Sequence, residues 1–573
     1  MSLITGNNAI DALVYSSWNI APQTPVTLTY SFLTRAPLEA TSDDRAGFKA
    51  MSTAQQVAVR EALGQWAAVA NITFAEVSAD TGQLQFGTNT QSDSSAYAYL
   101  PDTGVRSVQM YVNNASDTPY NSVFTAGTYG PTVLIHEIGH MLGLKHPGNY
   151  NSSGGGADGP FLPAATDNGD YTQMSYNDPS SYAINRTFAT TAMLYDIQAI
   201  QYLYGANMSY HAGNDSYRLA SGTPPMCIWD AGGTDTLDFS ACTGTSVINL
   251  NAGTFSETAR GLNNVSIAYG VTIESAIGGS GGTTFYANGN GNRLTGGAGA
   301  DTFNQGTGND TIAGGEGQDA VVFTKNFASY VVLREGDTLT VKGDGADVLT
   351  GIESLRFADR TVAADSIAQL AQQVGTAGND VITAVAGAAR IDGGGGVDVV
   401  LYAGNRSTYQ IAANADGYTV LEKATGIADI LTGVERVEFA DASGVALDVR
   451  AAAGQIYRLY ETAFNRTPDN GGMAFWLDAL DAGMTLQQAA QRFTLSPEYQ
   501  VLYGQNDNAA FVAQLYVNAL GRSYEEAGLK YHVAALENGA TRGQIVTGFS
   551  ESPELQLRLI GAMQDGIEYQ VLG

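Results

Sequence analysis

Three of the five histidines in this chain fall within eleven residues. The run His136-Glu137-Ile138-Gly139-His140-Met141-Leu142-Gly143-Leu144-Lys145-His146 reads H-E-x-x-H-x-x-G-x-x-H. On a helix, His136 and His140 are four apart and project from one face, so both can grip one zinc ion from the same side. Gly143 permits a sharp turn out of the helix, which brings His146 round as the third ligand. Three protein ligands leave a position open for water, the mark of a catalytic site. Glu137, beside the first histidine, is placed to act on that water. A bare H-E-x-x-H also arises by chance on core helices, but the added glycine and third histidine at fixed spacing favour zinc. A structural zinc site would draw on cysteines, and Cys227 and Cys242 lie far downstream. Met174-Ser175-Tyr176 follows. Met174 is expected to form a methionine turn whose thioether packs under the imidazoles. The phenol of Tyr176 could reach the same zinc; without the histidines it would read as a buried aromatic with a satisfied hydroxyl.

These side chains need a framework, and residues 1–220 read as mixed α/β. Residues 26–32 (VTLTYSF), 72–77 and 83–87 (QLQFG) have strand character, and 53–70 carries apolar residues at helical spacing. Pro131 stands where a helix could begin, ahead of the apolar stretch 133–144. Residues 148–170 are rich in Gly, Asn, Asp and Ser and predict a long surface loop. Residues 188–204 (FATTAMLYDIQAIQYLY) predict another helix.

From 221 to 445 the composition changes to Gly-Asp-Asn runs with short β segments. GGAGADTFN, QGTGNDTIA and GGEGQDAVV, beginning at Gly296, Gln305 and Gly314, share the period of a calcium-binding parallel β-helix. Glycines make the tight turns, the Asp supplies a carboxylate, and the apolar residue points inward. Two turns make one coil, so Gly296, Ala298 and Asp301 face Gly314, Glu316 and Asp319, with Thr307 and Asp310 on the turn between. The pattern returns with Gly375, Ala377 and Asp380 facing Gly393, Gly395 and Asp398. Thr283 and Asn292 stand at eroded Asp positions. GADVLTGIESLRFAD, containing Asp347, matches IADILTGVERVEFAD, containing Asp429, so calcium turns followed by a β cap occur twice. A flexible glycine-rich linker would not need inward Phe303, Ile312 and Val321 at regular spacing. Residues 451–573 predict helices in two copies, with Arg466 matching Arg522 and Ser496-Pro497-Glu498 matching Ser552-Pro553-Glu554.

The expected architecture is therefore multidomain: an α/β zinc protease domain (1–220), an all-β parallel β-roll with a β cap (221–365), a second calcium-repeat unit with a β cap (366–450) and an all-α repeat domain (451–573). A chain of 573 residues is long enough for several cores. A net charge of −29 repels nucleic acid and anionic membranes; it fits calcium loading, or solubility alone. Two cysteines exclude a disulfide framework and admit either one bridge or two unpaired thiols. There is no basic-then-apolar N-terminal signal and no apolar run of the ~18–20 residues a membrane helix needs.

Beyond the histidine motif and Met174-Ser175-Tyr176, the segments AYAYLP, DIQAIQYLYGANM, IWDAGGTDTLDFS and NVSIAYGVTIESAIGGSGG stand in a fixed order. Together they resemble the serralysin family of bacterial metzincins over roughly residues 20–320. The resemblance implies zinc on His136, His140 and His146, Tyr176 as a displaceable further ligand, and Glu137 as general base and then proton donor. It implies a metzincin protease domain followed by a calcium-filled roll. It also implies a further calcium site at His211, Gly213 and Asp215 with Asp230, Gly232, Gly233 and Asp235. Protein and peptide substrates would be the partners, with a type I secretion machine exporting the chain without an N-terminal signal peptide. Residues 451–573 resemble a repeat domain of uncharacterised function appended to some bacterial secreted and surface proteins, which suggests a cell-surface or surface-layer partner.

The reaction implied is hydrolysis of an extended peptide paired with an edge strand near QLQFG, with Tyr176 donating to the oxyanion. The competing reading is a non-enzymatic, calcium-loaded surface-layer or adhesin-like protein, which leaves the histidine motif unexplained.

Overall fold

The computed structural model describes residues 5–102, 104–150, 159–415 and 417–572. It divides into two compact units, Met1–Thr324 with Asp344–Ala364, and Lys325–Gly343 with Asp365–Gly573.

The first unit opens with α1 (Asn8–Leu13), β1 (Val26–Phe32), α2 (Ser42–Arg45), α3 (Thr53–Val69), β2 (Ile72–Glu76), β3 (Leu84–Asn89), β4 (Ala96–Ala98) and β5 (Val108–Asn113). It continues with α4 (Tyr129–Met141), α5 (Ser180–Asn185) and α6 (Leu194–Tyr204). The helix α3 starts at a capping box, Ser52 with Gln55, and buries Val59, Leu63 and Trp66 on one face. The five strands form one sheet in the order β2-β1-β3-β5-β4. All pairs are parallel except β4–β5.

Three expectations are corrected here. The QLQFG segment is not an edge: β3 is buried along its length and paired on both sides, with β1 and β5. The antiparallel β4 is the edge strand beside α4. The helix expected at 188–204 begins only at Leu194, where the Asp196 carboxylate takes the Met193 backbone N–H (2.9 Å) and caps the helix start. The preceding residues run as an extended segment, with Phe188 and Thr190 donating to the carbonyls of Gly127 and Pro225. The helix carrying the histidines starts at Tyr129, two residues before Pro131. Part of the loop expected at 148–170 lies outside the described residues; the rest of it is turns.

Past α6 the first unit becomes a roll of short parallel strands in two sheets. Ser275–Ile277, Arg293–Thr295 and Thr311–Ala313 stack in one, and Thr283–Tyr286, Thr302–Asn304 and Ala320–Val322 in the other. Leu294 pairs with Ile312 and Phe285 with Phe303. Phe285, Phe303, Val321 and Ile312 are fully buried, and the two phenylalanines stack at 4.6 Å. Burying each such side chain contributes roughly 1.5–3 kcal/mol. At the turns, each acidic side chain takes the backbone N–H of the coil before it: Asp301 from Thr283 (2.5 Å), Asp319 from Asp301 (2.8 Å), Glu353 from Asp319 (2.7 Å). Cys227 and Cys242 are buried free thiols.

The second unit repeats this plan. Ala371–Val374, Ala389–Asp392 and Ala428–Thr432 are parallel, as are Val381–Thr383, Val399–Tyr402 and Arg436–Phe439. Eight helices follow as two sets of four. Ala452–Phe464, Asn470–Asp481, Leu486–Leu495 and Pro497–Tyr503 correspond to Asn508–Leu520, Glu526–Glu537, Arg542–Ser550 and Pro553–Met563. Both sets use a Thr/Gln capping box and a Ser cap before Pro. The stretch expected to be all helical ends in a strand, Ile567–Gln570, antiparallel to Ser443–Ala446. Ile567 and Tyr569 alternate inward there, the period of a strand rather than a helix.

Candidate metal centre and active site

The helix α4 presents His136 and His140 on one face, both buried. Gly143, at φ +108, then turns the chain; a Cβ there would fall 2.1 Å from the Ser16 carbonyl oxygen. The turn is strapped by the N-terminal segment: Tyr15 and Ser16 donate to the Gly143 carbonyl, and Lys145 donates to Leu13. The Trp18 indole donates to the Met141 carbonyl (2.8 Å) and the Tyr204 hydroxyl to that of Leu142 (2.7 Å). These bonds occupy carbonyls that a helix end leaves free.

His146 thereby joins the pair. The three Nε2 atoms lie 3.0–3.2 Å apart. The Nδ1 of His136 faces the Gln173 carbonyl and that of His140 the Leu144 carbonyl, both at 2.7 Å. A carbonyl only accepts, so each Nδ1 carries the proton and each Nε2 of this pair presents a lone pair. Burial pushes His136 down to about 4 and His146 to about 3, and holds His140 well below the usual value, so all three rings are neutral at pH 7. Lone pairs converging at this distance repel unless a cation lies among them. The donor set fits a zinc-type ion.

Met174 is fully buried, and its thioether touches Gly139; a Cβ at Gly139 would sit 2.6 Å from the sulfur and 3.2 Å from Trp66. Asp196 pins this turn from below. Its carboxylate accepts from Thr172 Oγ1 (2.5 Å), Gln173 N (2.7 Å) and Met193 N. Gln173 in turn donates to the carbonyls of Ala189 and Thr191. Tyr176 lies over the cluster, 4.4 Å from the His146 ring and 5.7 Å from that of His136. It is 51% exposed, and burial of the rest, then the Glu137 charge, pushes its phenol up to about 12, so it carries its proton. Glu137 is buried, and burial pushes its carboxyl up to about 8.

A cleft of about 330 Å³ runs over these groups. One wall is Ser94, Ser95 and Ala96 leading into β4; the other runs from Ser175 to Pro179 and on to Phe188 and Ala189. His136, Glu137 and Tyr176 line it. The edge strand is braced from behind: the hydroxyls of Tyr97 and Tyr99 both donate to Asp44 Oδ1 (2.7 and 3.0 Å), and Asn121 donates to the Ser95 carbonyl.

The residues expected to bind calcium sit in turns. Ligand oxygens of Asp215, Asp230 and Asp235 lie within 4.8 Å of one another. His211 Nδ1 is 2.9 Å from Asp215, and Gly232 and Gly233 take positive φ between the aspartates. Gly296, Ala298, Thr307, Gly314, Glu316, Gly375, Ala377, Gly393 and Gly395 fall between strands. Asp301 and Asp310 each place one oxygen on a turn N–H of their own coil, at Gly297 and Gly306, and Asp380 does so at Thr376. Asp235, Asp319 and Asp398 each keep one buried carboxylate oxygen with no hydrogen-bond partner. Spacing assigned no role to Asp196, Tyr150, Asp167, Glu274, Glu353 or Glu435. The last three take the N–H of Asp235, Asp319 and Asp398. Glu353 and Glu435 are visible as equivalent positions of GIESLRFAD and GVERVEFAD, but a nine-residue period passes over them.

Residues 42–153 match the Matrixin family model, and 195–450 match that of the peptidase M10 serralysin C terminal. Residues 490–559 match a domain of unknown function, DUF4214. The metallopeptidase AprA of Pseudomonas marginalis is 38% identical over 288 residues, 46% of this chain and 60% of that protein. Serralysin C of Dickeya chrysanthemi is 39% identical over 285 residues, 44% of this chain and 57% of that one. The chain thus spans about 60% of the length of the curated relatives it matches. Two adjoining family models, relatives of this similarity and a three-histidine cluster above a buried methionine point the same way: residues 42–450 are similar to the serralysin-type metzincins.

Proposed function

We propose that the protein is a zinc-dependent endopeptidase that hydrolyses internal peptide bonds of proteins. The observation that carries this is the convergence of three imidazole Nε2 atoms beside buried Glu137, with His136 and Glu137 lining a cleft bordered by an edge strand. His136, His140 and His146 would hold the zinc, which when bound supplies Lewis acidity toward water and the scissile carbonyl.

The chain's own residues do the rest. β4 pairs with the substrate backbone in extended form, its strand addition leaving side chains to alternate between the cleft and solvent. Glu137 takes the proton of the attacking water and delivers it to the leaving amine. Tyr176, protonated and half exposed, donates to the oxyanion as the carbonyl becomes tetrahedral.

The aspartate turns are read as calcium sites: Asp215 with Asp230 and Asp235, Asp301 with Asp319, Asp310 on the turn between that pair, and Asp380 with Asp398. The unpartnered oxygens of Asp235, Asp319 and Asp398 support this, since hard cations take carboxylate oxygens. Calcium-dependent folding of the rolls suits an extracellular enzyme exported by a type I system, and residues 451–573 would attach it at a cell surface.

The test is Glu137→Gln in the zinc-loaded protein. Casein hydrolysis should fall by at least about 10³-fold while zinc content, measured by atomic absorption, stays at one per chain. Retained hydrolysis would sink the mechanism.

A further inference from the structure

Tyr176 has a neighbour that the mechanism above does not use. Tyr150 stacks on the face of Tyr176, with ring centroids 5.0 Å apart and planes at 25°, and its ring lies 5.9 Å from that of His146. The Tyr150 hydroxyl donates to Asp167 Oδ1 (2.6 Å). Ser175, the residue before Tyr176, donates to the same oxygen (2.7 Å) and lies 3.1 Å from the Tyr150 hydroxyl. The Tyr176 backbone N–H points at that hydroxyl too, at 3.4 Å. Asn177, one residue on, donates its backbone N–H to Ser175 Oγ (3.1 Å) and its side chain to the Asp167 carbonyl (2.7 Å). The residues on both sides of Tyr176 are therefore tied to Tyr150 and Asp167. Gly148 makes room for the brace: a Cβ there would fall 2.0 Å from the Tyr150 ring.

We propose that Tyr150, acting with Asp167 and Ser175, is a positioning residue that holds the Tyr176 ring against the histidine cluster. The proposal rests on the reading of Tyr176 as oxyanion donor. Tyr176 is half exposed, so stacking alone leaves its ring free to lean toward solvent. The hydroxyl of Tyr150 fixes the backbone from which the ring swings, and the stacked ring of Tyr150 limits its travel. A misplacement of about 1 Å in such a group costs up to about 10²-fold in rate.

Tyr150→Phe keeps the stacked ring and removes the hydroxyl; Ser175→Ala removes the second arm. In the zinc-loaded enzyme with a peptide substrate, each should lower kcat, Tyr150→Phe by about tenfold, with KM changed less than about twofold. Introduced into Tyr176→Phe, the Tyr150→Phe change should add less than about twofold, because it acts through the missing phenol. In the metal-free protein, Tyr176 nitration by tetranitromethane, followed by peptide mass spectrometry, should be faster in Tyr150→Phe. Wild-type kcat and nitration in both variants would overturn the proposal, as would independent effects in the double variant. Should Tyr176→Phe leave kcat unchanged, the oxyanion role falls instead, and the nitration rate alone then decides whether Tyr150 positions Tyr176.

Discussion

Asp196 accepts three hydrogen bonds with no exposed surface, and two of them come from backbone N–H groups. Replacing its carboxylate by an amide turns one acceptor oxygen into a donor facing other donors. Asp196→Asn should therefore cost about 2–3 kcal/mol in urea unfolding and weaken zinc retention against a chelator, since the Gln173 carbonyl orients His136. The histidines add a pH dependence. Their folded values are held down by burial, to about 4 at His136 and about 3 at His146, against the ordinary 6.5. Their contribution is full above pH 6.5 and is lost as the pH falls toward these values, because the unfolded chain then binds more protons. At this scale the zinc-type motif was legible, because helical period and one glycine place three rings locally. Tyr150 and Asp167 were not: they face each other across a loop, and no periodicity links them.

The roll strands behave differently with pH. Asp429 is buried, which pushes its carboxyl up to about 6 from the ordinary 3.8, and it accepts from the Ala389 N–H and the Tyr402 hydroxyl (2.7 Å). The folded state holds this proton more readily than the unfolded chain. The contribution is therefore full below about pH 3.8 and is lost as pH rises through 6. In chelator, hydrogen-exchange protection of Ala428–Thr432, corrected for intrinsic rates, should be greater at pH 5 than at pH 7.5; equal protection would show that Asp429 does not carry it. The strands of the rolls could be read from spaced Phe303, Ile312 and Val321, since register follows from an 18-residue coil. The order of the protease sheet could not, because strand order is set by pairing between distant segments. That is why the edge expected near QLQFG lies instead at β4, while QLQFG is central in the fold.

At the scale of the whole molecule, two bidentate ion pairs recur in the helical repeats, Arg466 with Glu498 and Arg522 with Glu554, each at 2.8 and 3.0 Å. They are partly exposed and contribute little individually; their value is in register. The buried bonds of Arg436 to Asp448 and Asp481 tie the second roll to the helix Asn470–Asp481. Removing residues 564–573 should lower the stability of the second unit by about 3–5 kcal/mol, from lost burial of Ile567 and Tyr569 and the strand bonds. Calorimetry of the calcium-loaded protein would read this as an earlier transition. The pairing of Ser443–Ala446 with Ile567–Gln570 makes the eight helices the loop of one β-hairpin. Closing an unstructured loop of about 120 residues costs roughly 4 kcal/mol of chain entropy. Helices that fold first would bring the two strands together with that cost already met, so hydrogen-exchange labelling during refolding is expected to protect the bundle before the hairpin strands.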